Sequence, residues 1–448
     1  MTSSTSIARA CARWVCATSA ARLERDVVEK AKTCLRDMIG VAAQACDLPS
    51  SRQALGFAAA MGGSGATLIG ASQRASAAEA AFANATVAHG LVQEDMHTPS
   101  VSHIGVVVWP TLLALSEQVR ASGEDLIAAG VAGYQVMGRL GQALITKDLA
   151  RLFRPTGLIG AIGAAAAGAR LLRLSEDETT GALSLAANTA GGLNEWPHVG
   201  GDEMFFHAGN AARNAVTAVL LAKSGARGAE SALDGRAGLF AAYRGTAQAE
   251  LDLGGAWEIL SVYHKPAPAC NYAQTPAQAA YAVLKKSLIH PHEIERVVVK
   301  TFPEAIAYPG CDHAGPYRNL LQAKMSIQFV VAATLAAGRL DDHALRDFSE
   351  GGDAGRLARR VHLESDAEFA AAYPRRQGAE VLVWLKNGTR YNARLAALVP
   401  LDEQGVRDRF RSAVERLLGE ARARELEREI DALPAVPDAA RIARLLAP

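Results

Sequence analysis

GLIGAIGAAAAGARLL, residues 157–172, decides how the chain is read. Its Gly157, Gly160 and Gly163 are either a phosphate-cradling loop or the contact surface of a packed helix. The dinucleotide fingerprint is GxGxxG, placed after a strand and opening a helix. Here the spacing is GxxGxxG and no strand-like run comes before it, so the stretch reads as a helix whose glycine face admits a neighbouring backbone. GGSGATLIG at 62–70 fails the same test, because a strand-like run follows where a helix should begin.

The surroundings agree with a helical reading. Residues 1 to about 255 show apolar positions at helical spacing, broken by Gly, Ser and Asp. In LSEDETTGALSLAANTA, Ser175 and Glu178 form a capping box, each side chain satisfying a free backbone N–H. The character changes near residue 268. ERVVVKTF (295–302) is short and β-branched, VHLESD (361–366) follows a helical run, and AEVLVWLKNGTRYNARL (379–395) gives two strands around Asn387–Gly388. That dipeptide predicts a two-residue type I′ hairpin. RSAVERLLGEARARELEREIDAL (411–433) reads as one amphipathic helix. The expected fold is mainly α with a smaller α+β lid. A large, discontinuous all-helical domain takes residues 1–267 and 398–448, and the lid takes 268–397.

Composition narrows the function. A chain of 448 residues suggests two domains, and 50% hydrophobic content with only 6% aromatics suits helices packed through small side chains. The net charge of +1 argues against a broad nucleic-acid footprint, while leaving room for a local basic pocket. Cys11, Cys16, Cys34, Cys46, Cys270 and Cys311 include no CxxC pair, so the thiols read as reduced and cytosolic. Arg9, Arg13, Arg22 and Arg25 interrupt any signal-peptide core, and no run reaches the ~18 apolar residues of a membrane span. A soluble cytoplasmic protein with no membrane partner is expected.

Four stretches could carry chemistry. VAHGLVQEDMHTPSVSHIG (87–105) places Glu94, Asp95, His97 and His103 in a loop that Pro99 keeps from being helical. Carboxylates beside imidazoles are the material of general acid–base work, and also of solvated loops. His97 and His103 lack the spacing and thiolate partners of a zinc site, so no metal is expected. HKPAPACNY (264–272) stiffens His264, Lys265, Cys270 and Tyr272 between prolines; a desolvated lysine can hold a carboxylate or act as a base. AYPGCDHAGPYRNLLQAKMS (307–326) gathers Tyr308, Cys311, Asp312, His313, Tyr317 and Arg318 in a loop. RLFRPTG and HVGGDEMFFHAGNAARNA offer Arg154, Thr156, Met204, His207 and Arg213, and a cation ahead of a helix can clamp a carboxylate. Taken singly, the first two read better as a solvated loop and an interdomain hinge, and the others read also as a surface loop, a helix cap or a surface pair.

In order, these stretches resemble the MmgE/PrpD family, together with VEKAKTCLRDMIGVAAQA, GYQVMGRLGQAL and AKMSIQFVVAATLAAG. The family includes 2-methylcitrate dehydratase, cis-aconitate decarboxylase and iminodisuccinate epimerase, and the likeness spans nearly the whole chain. It implies a helical domain with an α+β lid, a homodimer, and a site in the cleft between the domains. Matched to the family's motifs, Asp95, His103, Lys265 and Tyr308 would be catalytic. His97, Arg154, His207, Cys270, Tyr272 and Tyr317 would contact substrate. Arg154 stands where the family often has a histidine, and Met204 where it often has a lysine.

The implied activity is that of a cofactor-independent lyase, of dehydratase or decarboxylase type, acting on a small di- or tricarboxylate. Asp95 would orient His103 for proton transfer, and Lys265 and Arg154 would hold carboxylates. Two alternatives remain: an isomerase or epimerase on a similar acid, and a ligand-binding member without catalysis.

Overall fold

The computed structural model describes residues 5–287 and 289–448. The Pro155–Leu171 helix contains the stretch quoted first, and its glycines admit three neighbours rather than one. A Cβ on Gly157 would lie 2.4 Å from the Gly191 carbonyl oxygen. On Gly160 it would lie 3.0 Å from Ala211 Cβ, and on Gly163 2.4 Å from Met137 Cβ. Glycines three apart drift by about 60° around a helix, so each meets a different surface. The result is a helix wedged between Gly123–Leu144 and Glu203–Lys223, with Ala77–His89 and Gly105–Ser116 closing the bundle. The Ser175–Glu178 capping box is present at the start of the Glu176–Ala187 helix.

Two apolar cores result. The first takes in the helices up to about residue 262 and also Phe410, Val414, Leu426 and Ile430 near the C-terminus. Glu403–Leu418 lies along Arg25–Ala45, so closely that a Cβ on Gly40 would be 3.0 Å from Phe410 Cα. The amphipathic stretch at 411–433 is broken, because Gly419 at φ +85 ends one helix and Glu420–Asp431 begins another.

The second core is built on a four-stranded sheet. Its strand order is Val361–Ser365, Ile294–Thr301, Ala379–Leu385, Arg390–Leu395, parallel at the first pair and antiparallel at the others. Ala379–Leu385 alternates buried and half-buried residues, and the Gln274–Leu284 and Ile327–Ala337 helices pack beside the sheet. The hairpin differs from the two-residue type I′ expectation. Gly388 N–H donates to the Leu385 carbonyl and Leu385 N–H to the Thr389 carbonyl, both at 2.9 Å. Only Gly388 has positive φ, whereas a type I′ turn needs two such residues, so the loop is a type I turn followed by a glycine bulge. Val92, Trp196, Met204 and Phe205 of the helical part join this second core. Among the described residues, no helix is long and apolar enough to cross a membrane.

Candidate active site

Short backbone ties bring the candidate segments together. Met96–His97 pairs antiparallel with Val262–Tyr263, which places the 87–105 loop beside the run leading into Lys265. Thr156 Oγ1 accepts the His103 amide at 3.0 Å and so fixes that loop on the start of the Pro155–Leu171 helix. Arg409, from the C-terminal part, donates to the Lys265 carbonyl at 2.8 Å. Around the junction lies a cavity of about 10 Å³, room for one water, lined by His103, Arg154, Cys270, Tyr308 and neighbours. An outer cleft of about 260 Å³ shares Val101, Tyr272 and Tyr308 with it and carries Lys147, Arg151 and Glu304 at its mouth.

The carboxylate beside His103 is Glu94, not Asp95. Glu94 Oε1 lies 2.9 Å from His103 Nδ1 and 2.6 Å from His89 Nδ1. Asp95 faces the other way: its Oδ1 accepts the Gly105 amide at 3.0 Å and its Oδ2 accepts the Tyr134 hydroxyl. Only its backbone carbonyl reaches His103 Nδ1, at 3.2 Å. Successive residues of this loop thus point to opposite sides. Asp95 anchors the first turn of the Gly105–Ser116 helix, and Glu94 serves the cavity.

Electrostatics sets the resting charges. Burial, with the Lys265 charge beside it, pushes His103 down to about 3, so the ring is neutral at ordinary pH. Burial pushes the Glu94 carboxyl up, but the His89, His103 and Lys265 neighbours outweigh it and hold it well below the usual range. A neutral His103 carries its proton on Nδ1, which faces the Asp95 carbonyl at 3.2 Å and Glu94 Oε1 at 2.9 Å, and keeps Nε2 as an acceptor. No described residue hydrogen-bonds that nitrogen. Burial brings Lys265 down to about 8, opposed by Glu94 and Cys270. Tyr308 is raised by burial and stays protonated.

Arg154 is 5% exposed and Lys265 is fully buried. Among the described residues, neither is in an ion pair. Arg154 Nη1 reaches Tyr308 Oη and Nη2 reaches His89 Nε2, both at 3.4 Å, and its Nε has no partner. Lys265 Nζ donates to the Val92 and Ala269 carbonyls. Lys265 is opposed in part by the Glu94 charge and Arg154 has no acid in contact, so the pocket carries a surplus of buried positive charge, which favours an anion. His89, Glu94 and His103 put three possible metal-ligand atoms within 4.8 Å of one another. The adjacent Arg154 and Lys265 charges oppose a cation there and favour a carboxylate.

The other expected residues fall in different places. Cys270 and Tyr272 line the cavity. His207 is half-buried and held down to about 4 by burial and the Arg154 charge. His97 is turned away, its ring nitrogens 2.7 Å from both Ser100 Oγ and Glu258 Oε2. Tyr317 packs on Phe329 and donates to the His313 carbonyl at 2.9 Å, outside the cavity lining. His89 was absent from the expected set, although it lies in the quoted loop, as the last residue of the Ala77–His89 helix. Met204 Sδ lies 2.9 Å from His89 Nε2, so the uncharged side chain at that position packs on an imidazole.

Comparison with known proteins decides the family. The MmgE/PrpD N-terminal domain model matches residues 9–252 and the MmgE/PrpD C-terminal domain model matches residues 267–434. The chain belongs to the MmgE/PrpD family. It is 27% identical to cis-aconitate decarboxylase of Mus musculus over 392 residues, 82% of this chain and 78% of that protein. Against the Homo sapiens cis-aconitate decarboxylase the identity is also 27%, over 76% of this chain and 73% of the relative. The 2-methylcitrate dehydratase of Salmonella typhimurium is 27% identical over 52% of this chain and 51% of its own length. By name, these relatives are lyases. The match to the C-terminal domain model includes the 403–431 helices, which pack on the first core rather than the second.

Proposed function

We propose that this MmgE/PrpD chain is a lyase that acts on a small di- or tricarboxylic acid by proton transfer next to a carboxylate, without a bound cofactor. The observation that carries the reading is the pair of buried cations, Arg154 and Lys265, neither in contact with an acid, beside a neutral His103. One substrate carboxylate would be clamped by Arg154 and a second would approach Lys265. Each cation would also stabilise the enolate-like charge that develops when a proton or carbon dioxide leaves.

His103 Nε2 is the proton acceptor in this account, oriented by Glu94 through Nδ1. Tyr308, accepting from Arg154 and keeping its own proton, is the donor. With that pair, elimination of water would proceed by proton removal at His103 and protonation of the leaving hydroxyl from Tyr308. In decarboxylation, the electron pair of the broken carbon–carbon bond would pass toward a carboxylate held by the cations. Tyr308 would then protonate carbon, and His103 Nε2 would relay the proton that restores the phenol. The wide coverage by relatives named decarboxylases favours the second course.

The inner cavity is too small for such an acid, so the lid must part from the helical domain to admit it. The two separate cores support a lid at 268–397 on a helical domain formed by 1–267 and 398–448. The family likeness supports a cytoplasmic homodimer. Incubation with a panel of di- and tricarboxylates, followed by mass and alkene absorbance, tests the reading. Loss of carbon dioxide or water from one of them supports it, and inertness across the panel sinks it.

His103 and Tyr308 on one cavity also suit an epimerase, which would remove a proton and return one from the opposite face. In that case solvent deuterium enters the substrate with no other change of mass.

A further inference from the structure

We infer that Cys270 and Cys311 are a modification site: a dithiol that a hydroperoxide converts to a disulfide in the wall of the cavity, stopping turnover. Their Sγ atoms are 3.7 Å apart, both side chains are buried and both thiols are free. A disulfide needs about 2.05 Å, so the sulfurs must close by roughly 1.7 Å. Among the described residues, no other cysteine pair makes a sulfur–sulfur contact. Cys16 and Cys46 instead meet carbonyl or hydroxyl oxygens.

The backbone holds the pair in place. Cys270 N–H donates to the Lys324 carbonyl at 2.9 Å, and the Cys311 carbonyl accepts from Ile327 N–H at 2.9 Å. Both cysteines are therefore tied to the end of the same short helix, Leu320–Met325, and the residues just after it. Cys311 is also bound to the proposed proton donor, its N–H donating to the Tyr308 carbonyl at 3.0 Å. Closing the bond would draw the Cys270 side chain out of the wall and pull on the Tyr308 segment.

The two thiols differ in access. Cys270 lines the cavity with His103, Arg154 and Tyr308, whereas Cys311 lies behind it. Cys270 is lowered by its hydrogen bond with Cys311, then by the Tyr272 amide, Lys265 and Arg154, against the opposing effect of burial. That makes it the attacking sulfur. Its thiolate takes one peroxide oxygen, the O–O bond breaks, and a sulfenic acid forms with release of water or an alcohol. Cys311 then attacks that sulfur, the S–S bond forms, and hydroxide leaves to combine with the Cys311 proton as water. Two thiols lose two electrons in all, and the peroxide gains them.

The effect on turnover rests on the function proposed above, but the crosslink itself does not. The test treats the full-length protein with hydrogen peroxide, blocks free thiols under denaturing conditions, and maps peptides without reduction. The expected product is a Cys270–Cys311 crosslink, two hydrogens lighter than the separate peptides. A thiol reductant should reverse it and restore activity together. Cys311→Ser should give no crosslink and a Cys270 sulfenic acid trapped by dimedone. Where that variant fails to fold, the wild-type map decides alone. Alkylation of both cysteines after peroxide overturns the site. A complete crosslink with undiminished turnover overturns its consequence.

Discussion

Glu94 Oε1 sits 2.9 Å from His103 Nδ1, while the adjacent Asp95 carboxylate is turned onto Tyr134 and the Gly105 amide. Two neighbouring acids therefore do separate work, and their substitutions should separate as well. Glu94→Gln should lower kcat by about 10²–10⁴, the range for losing the group that orients a catalytic imidazole. Asp95→Asn should lower Tm and leave a larger fraction of kcat. Steady-state kinetics and thermal unfolding on both variants check this, and equal kcat losses would remove the distinction.

Gly105 admits the Asp95 carboxylate because it has no side chain. A Cβ there would lie 2.7 Å from Tyr134 Oη and 2.8 Å from Asp95 Oδ2. Gly105→Ala should cost about 1–3 kcal/mol, the usual range for overpacking a close-fitting core. Urea unfolding of the two proteins measures it, and a change under ~0.5 kcal/mol would show that the loop yields freely.

Acid should destabilise the protein partly through His103. Its folded value is about 3 against an ordinary 6.5, so between these the unfolded chain binds a proton that the folded chain does not. Stability from this group is complete above about 6.5 and falls as pH drops toward 3. His207 and His89, also lowered, act in the same direction. Urea unfolding between pH 7 and 5 should show a shallower loss in His103→Gln, by up to ~1.4 kcal/mol per pH unit. An unchanged slope would mean that His103 is already charged in the folded protein.

The basic limb belongs to Lys265. With a value near 8, its ammonium loses its proton above that pH and with it the attraction for a carboxylate. The apparent KM for the acid should rise above about pH 8, and in Lys265→Met it should be high and flat across that range. A wild-type KM that holds constant to pH 10 would detach Lys265 from substrate binding.

Glu304 pairs with Lys147 at the cleft mouth, joining the small domain to the helical one. Lys147 is mostly exposed, so the pair is worth only ~0–1 kcal/mol of stability. Glu304→Gln should leave Tm nearly unchanged and raise kcat/KM for an anionic acid at low salt, because Lys147 and Arg151 then attract it unopposed. The gain should fade as ionic strength rises. A gain that is independent of salt would point instead to easier opening.

The helical body, the sheet near the C-terminus and the meeting of His103 and Arg154 on one cavity were legible in the chain, because each is marked by local pattern or ordered motif. The assignment of Asp95 to His103 was not secure, since two adjacent acids have the same composition signal and only the local backbone turns one inward. His89 carried no periodic signal at the end of a helix, and its contacts to Arg154 and Met204 span 65 and 115 residues of sequence. Gly388 and Gly419 show the same limit on a smaller scale. Both were visible, but the turn type and the helix break follow from backbone angles that composition does not specify.

The central claim, proton transfer at His103 next to a carboxylate, is tested most directly by proton NMR in D2O. The wild-type enzyme and His103→Gln would each be incubated with cis-aconitate and 2-methylcitrate, the acids named in its relatives, and with related dicarboxylates. The expected result is conversion of one of them by the wild type, either by loss of carbon dioxide with a solvent deuteron taken up on carbon or by loss of water together with the proton next to the carboxylate, reduced at least ~10²-fold in His103→Gln. Conversion at an equal rate by both proteins would contradict the account.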